Sequence, residues 1–76
     1  MAKVSNMVIV EKAKGNYSAF APDLPGCVAT GRTERDALRH MQEAIQFHIE
    51  GLREDGEPIP KPRATSHHVQ FDLSAA

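Results

Sequence analysis

Tyr17-Ser18-Ala19-Phe20-Ala21-Pro22-Asp23-Leu24-Pro25-Gly26-Cys27-Val28-Ala29-Thr30-Gly31 is the stretch that decides how this chain folds. Tyr17 to Ala21 reads as a short strand, with aromatic residues at Tyr17 and Phe20. Pro22 and Pro25 then fix their own φ and offer no amide hydrogen, so a ladder cannot continue through them. Gly26 can supply a positive φ. Together with Asp23 they make a tight, fixed connection. Cys27 to Thr30 reads as the next strand, and Gly31 ends it. Upstream, Asn6 to Ala13 carries the β-branched run Val8-Ile9-Val10, which signals a strand. Lys14-Gly15-Asn16 supplies turn residues, so the first two strands pair as a hairpin.

Downstream, Thr33 is placed to cap a helix. Asp36 stands three residues on, the capping-box spacing with Asp in place of Glu. Glu34 and Asp36 put negative charge in the first turn, where the helix dipole favours it. Ala37, Leu38, Met41, Ala44, Ile45, Ile49 and Leu52 follow the three-and-four spacing of one buried face. Gly56 and Pro58 supply the stop. Pro58, Pro60 and Pro62 make residues 57–66 an extended linker. Val69-Gln70-Phe71-Asp72-Leu73 alternates apolar and polar, the pattern of a half-buried strand over residues 69–73.

The expected fold is therefore α+β: a two-layer β-β-β-α-β sheet with one main helix. The helix acts as a crossover, so the last strand should run parallel to the third. The simplest sheet order is 3-2-1-4. In the first strand Val8 and Val10 point to one face, and Met7 and Ile9 to the other. In the second, Phe20 opposes Tyr17 and Ala19. Both faces are apolar, yet one helix covers only one. The uncovered face, with Met7, Ile9 or Phe20 on it, is expected to be an interface with a partner or a second copy. Asp23 in the turn is read as structural first, an Asx-type turn residue, and as interfacial second.

With 76 residues the chain has room for one domain, residues 1–76. A domain this small buries little surface and usually needs disulfides, a metal or oligomerisation. Cys27 is the only cysteine, which excludes an internal disulfide and fits a reducing compartment. No apolar run is long enough to span a bilayer. Met1 to Asn6 lack a signal-peptide pattern, so a cytoplasmic location is expected. Nine Lys and Arg against ten Asp and Glu give a formal net charge of −1. Proteins built for non-specific nucleic-acid binding carry a basic stripe instead.

The run Tyr17 to Gly31, followed by Thr33, Ala37-Leu38, Glu43-Ala44-Ile45 and Gly51-Leu52-Arg53-Glu54-Asp55-Gly56-Glu57-Pro58-Ile59-Pro60, resembles the HicB-type antitoxin family. The resemblance runs from about Val8 to Pro62 and continues loosely into the last expected strand. It implies a partial ribonuclease-H-like fold for this N-terminal family domain. It also implies a partner, a small mRNA-cleaving toxin with a double-stranded-RNA-binding-like fold and a catalytic histidine, which the antitoxin binds and blocks. Full-length members add a C-terminal DNA-binding segment. Few residues follow Leu73 here, so this looks like a short form, and no direct DNA binding is expected of it. The expected function is an antitoxin-like protein-interaction domain that forms a homo-oligomer and occludes the toxin. The alternative is a stand-alone oligomeric domain of the same family, without a toxin and with another partner or ligand.

No catalytic residue, metal or cofactor is expected. Ribonuclease-H-type chemistry needs several convergent carboxylates holding two metal ions. Glu11 at a strand end, Asp23 in a turn and Asp72 on the last strand form no such cluster in sequence. His40 and His48 lie eight residues apart on the helix, and His67 and His68 are neighbours that a strand would point to opposite faces. Neither spacing suits zinc. Arg32, Arg35 and Arg39 put positive charge near the helix start, where a solvated face is the default and a nucleic-acid contact the alternative. The protein should therefore not cleave an RNA–DNA hybrid with magnesium or manganese. Metal-dependent cleavage of a labelled hybrid, lost in Asp23→Asn while the fold stays intact, would contradict this.

Overall fold

A computed structural model describes residues 5–75 of the chain. Three strands form one antiparallel sheet: β1 (Ile9–Ala13), β2 (Asn16–Phe20) and β3 (Val28–Gly31), in the order β1-β2-β3. Ile9 pairs with Phe20 and Ala13 with Asn16, so Lys14 and Gly15 close a two-residue hairpin. Across the second junction Phe20 pairs with Val28 and Tyr17 with Gly31. The Pro22–Gly26 segment joins these strands through two tight hydrogen-bonded steps. The Leu24 N–H donates to the Ala21 carbonyl and the Cys27 N–H to the Leu24 carbonyl, both at 3.1 Å. Gly26 has φ +82, the left-handed region that a side chain strains.

The helix α1 (Glu34–Glu54) begins where the capping pattern put it. The Thr33 hydroxyl oxygen accepts the Asp36 N–H at 3.0 Å. At the other end the Gly56 N–H donates to Arg53 and the Glu57 N–H to Leu52, the two bonds of a Schellman close. Ala37 and Met41 are fully buried, and Ala44, Ile45 and Ile49 pack beside them. They lie on the sheet face that presents Val10, Ala19, Tyr17 and Ala29. Leu38, expected on this face, is exposed.

The core is small. Among the described residues it holds, besides Ala19, Ala21, Cys27 and Ala37, two large fully buried side chains, Leu24 and Met41. Leu24 comes from the proline-flanked turn, so that turn is part of the core and does more than connect strands.

The fourth strand expected over residues 69–73 is not formed. Residues 57–72 are irregular, and Leu73–Ala75 make one 3-10 turn. The sheet therefore keeps the 3-2-1 part of the expected order and lacks position 4. The physical reason is that alternation specifies a strand with one dry face but not the surface that dries it. Here Val69, Phe71 and Leu73 are 82%, 75% and 77% exposed. With no sheet edge beside them, nothing holds the backbone in a ladder.

A Cβ on Gly31 would lie 2.8 Å from the Asp36 carbonyl carbon and closer still to the Ala37 nitrogen. This is backbone, which cannot swing aside. Gly31→Ala should therefore destabilise the fold by about 1–3 kcal/mol through overpacking, and Gly26→Val by about 1–3 kcal/mol through backbone strain. Chemical denaturation reads both; unfolding midpoints equal to the wild type would contradict this packing.

Candidate functional site

The sheet has two unlike faces because its register is fixed. One face meets the helix. On the other, Ile9, Phe20 and Val28 are directly paired across the three strands and form an apolar row. Ile9 is exposed, Phe20 half-buried and Val28 66% exposed. Met7, half-buried, precedes Ile9 by two residues. The helix thus takes the Val10 side and leaves Ile9 and Phe20 uncovered. Val28 belongs to the same row, although no local sequence signal marks it. Its place depends on the register across the proline turn, and only the number of residues in that turn hints at it. Phe47, 79% exposed on the helix, lies off the apolar stripe, so the helical spacing gives no signal for it.

Asp23 has a different job from the one expected. An Asx turn would need the N–H of residue 25, and Pro25 has none. Instead both carboxylate oxygens accept the backbone N–H of Ala64, at 3.1 and 3.2 Å. The turn and the proline-rich linker are stapled together across a contact 41 residues long in sequence. Pro22, Pro25, Pro60, Lys61 and Arg63 line the shallow cleft around this staple. Asp23 therefore lies beside the sheet end where Ile9, Phe20 and Val28 meet.

A second, open groove of about 1320 Å³ lies between the chain entering β1 and the helix. Asn6, Val8, Leu38 and Ile45 line it, with Arg35, Asp36, Arg39 and Glu43 at its polar parts. Its charge is mixed. Arg39 sits 3.8 Å from Asp36 in an exposed pair that adds little stability. Arg35, Asp36 and Arg39 thus form no purely basic surface.

The titratable groups are dispersed. Among the described residues no three His, Cys, Asp or Glu side chains converge as metal ligands. His40 Nδ1 is 2.6 Å from the Thr30 carbonyl; that oxygen only accepts, so Nδ1 carries the proton and ties the helix to β3. His67 Nε2 lies 3.1 Å from the Thr65 hydroxyl. The Ser74 hydroxyl and N–H both donate to Asp72, holding its carboxyl below the usual range. Burial pushes the Cys27 thiol up, which suits a packing residue and not a nucleophile.

The sequence profile described as a HicB-like antitoxin of bacterial toxin–antitoxin systems matches residues 6–72. The chain belongs to the HicB-like antitoxin family. It is similar to the crystal structure of the N-terminal domain of the Burkholderia pseudomallei antitoxin HicB, with a TM-score of 0.70 and 37% identity. That match covers 76% of this chain and 69% of the other. It is 39% identical over 62 residues to an uncharacterised 14.9 kDa protein from the rep–hol intergenic region of Haemophilus phage HP1. That match takes in 82% of this chain but only 47% of the phage protein, so the chain spans about half of that relative's length. A UPF0150 protein of Thermoplasma acidophilum is 38% identical over 76% of this chain and 84% of its own length.

The profile match includes both partners of the staple, Asp23 in the turn and Ala64 in the linker. In this HicB-like chain Asp23→Ala removes the acceptor and should free the linker, lowering stability by about 1 kcal/mol for one partly exposed hydrogen bond. Asp23→Asn keeps an acceptor oxygen and should cost less than about 0.5 kcal/mol. Amide hydrogen exchange at Ala64 should rise in the first variant and not in the second. Unchanged exchange in Asp23→Ala would show that the staple does not hold the linker.

Proposed function

We propose that this chain is an antitoxin-type interaction domain. It binds and occludes a small mRNA-cleaving toxin in the cytoplasm, and it self-associates. The observation that carries this reading is the uncovered row of Ile9, Phe20 and Val28 on a sheet whose other face packs against the helix. An apolar patch rimmed by polar residues is what a protein partner covers. Met7 extends the patch, and Asp23 at its end offers a carboxylate to a basic partner. On this reading the three strands and the helix are the core of a partial ribonuclease-H-like fold that has become a binding scaffold. Occlusion is steric, so on this reading no residue of this chain is catalytic and no cofactor is needed.

A second reading has its own support. The Thermoplasma relative is matched over 84% of its length, so it consists of little more than this domain. A stand-alone oligomeric domain without a toxin fits such a protein, and this chain is read the same way if its gene has no toxin neighbour.

The test is direct. The product of the adjacent reading frame is purified and assayed for RNA cleavage with and without this chain. Stoichiometric inhibition, weakened by Ile9→Asp or Phe20→Asp at unchanged thermal stability, is the expected result. Each charge introduced into a covered apolar contact should weaken binding about tenfold or more, given roughly 1.5–3 kcal/mol per buried large side chain. Cleavage that proceeds unhindered by a bound or unbound excess of this chain would rule out the toxin reading. Light scattering at micromolar concentration checks self-association, and a monomer mass would end that part of the proposal.

A further inference from the structure

We infer that residues 67–73 are a donated strand, which leaves its own domain and pairs with the outer edge of β1 in a second copy of this chain, reciprocally. The inference rests on the self-association proposed above but assigns it to a different surface, the β1 edge and not the open sheet face.

Three mismatches in the single copy motivate it. The first is the tail. Val69, Phe71 and Leu73 alternate with Gln70 and Asp72, and all three apolar side chains stand in solvent. Loops do not ordinarily carry a regular apolar face into water. The second is the sheet. Among the described residues nothing pairs with the outer edge of β1, which leaves a row of free N–H and C=O groups. The third is the groove between the chain entering β1 and the helix. The helix lies closest to β3 and barely reaches β1, so Leu38 is left 42% exposed on the groove wall. Asn6, another wall residue, has an Oδ1 that is shut off from solvent and finds no donor among the described residues. A buried acceptor without a donor is costly, so this corner of the groove is poorly satisfied in the single copy.

The tail fits that vacancy. Seven extended residues span about 23 Å and the five of β1 about 17 Å, so the tail is long enough to run the whole length of β1. Pairing along β1 would turn Val69, Phe71 and Leu73 toward Val8, Leu38 and Ile45, and leave Gln70 and Asp72 in water.

A second copy is the donor because residues 65–74 are all exposed and so bury nothing against their own domain. The molecule measures 53 × 28 × 22 Å, and its radius of gyration of 15.3 Å exceeds the roughly 11 Å of a compact chain this long. The staple of Asp23 to Ala64 fixes the root of the tail at the β2–β3 turn, on the far side of β2 from the free edge. Two copies related by a two-fold axis would each insert a tail and receive one. Such exchange closes both free β1 edges.

The test uses the full chain, two variants (Val69→Asp with Phe71→Asp in the tail, and Leu38→Asp in the groove) and an equimolar mixture of those two. All altered side chains are exposed in the single copy, so the monomer fold should survive, and circular dichroism verifies it. Light scattering should give a dimer for the unaltered chain. Each variant alone should dimerise about tenfold or more weakly, the loss of one large buried apolar contact. The mixture should recover part of the dimer, because the tail variant's sound groove can accept the groove variant's sound tail. Full assembly of the tail variant would overturn strand donation and leave self-association through the open face intact. A tail variant that unfolds earlier without any change of mass would mean that the tail docks on its own domain. A monomeric unaltered chain would overturn both this inference and the proposed self-association.

Discussion

The closeness of the helix to β3 governs the rest of this structure. At Gly31 there is no room for a side chain, so the helix backbone sits almost on the strand, and the His40 to Thr30 contact ties it there. A helix placed over β3 and β2 packs Ala37 and Met41 tightly against Ala19, Leu24 and Cys27. It cannot then cover β1 equally well. Leu38 on the helix and Val8 before β1 are left to line an open groove. The tight corner and the unfilled one are two consequences of the same contact.

A core with two large fully buried side chains leaves little stability in reserve. That gives weight to features that would be minor in a larger protein. The turn contributes Leu24 to the core, the Schellman close ends the helix cleanly, and Asp23 holds the linker by a single backbone N–H. It also gives a physical motive for assembly. The row of Ile9, Phe20 and Val28 and the tail of Val69, Phe71 and Leu73 hold apolar area that the monomer cannot bury. Membership of the HicB-like antitoxin family agrees with a domain whose work is done by its surface.

The sequence determined the elements whose causes are local. The cap at Thr33, the helix that follows it, the hairpin around Lys14 and Gly15, and the proline-bounded turn all follow from residues within a few positions of each other. So did the two-sided character of the first strands, since alternation needs only neighbours. Long-range contacts decided the remainder. Val28 joined Ile9 and Phe20 through a register that no single residue specifies. Asp23 lost its expected local hydrogen bond because Pro25 has no N–H, and found Ala64 across 41 residues. Leu38 kept the helical spacing of a core residue yet stayed exposed, because the helix packs most closely on β3 and least on β1. Residues 69–73 have the alternation of a strand but form none, because a strand exists only when another backbone lies beside it. Periodicity in a sequence says which side of an element is to be dry; only the packed chain decides what, if anything, dries it.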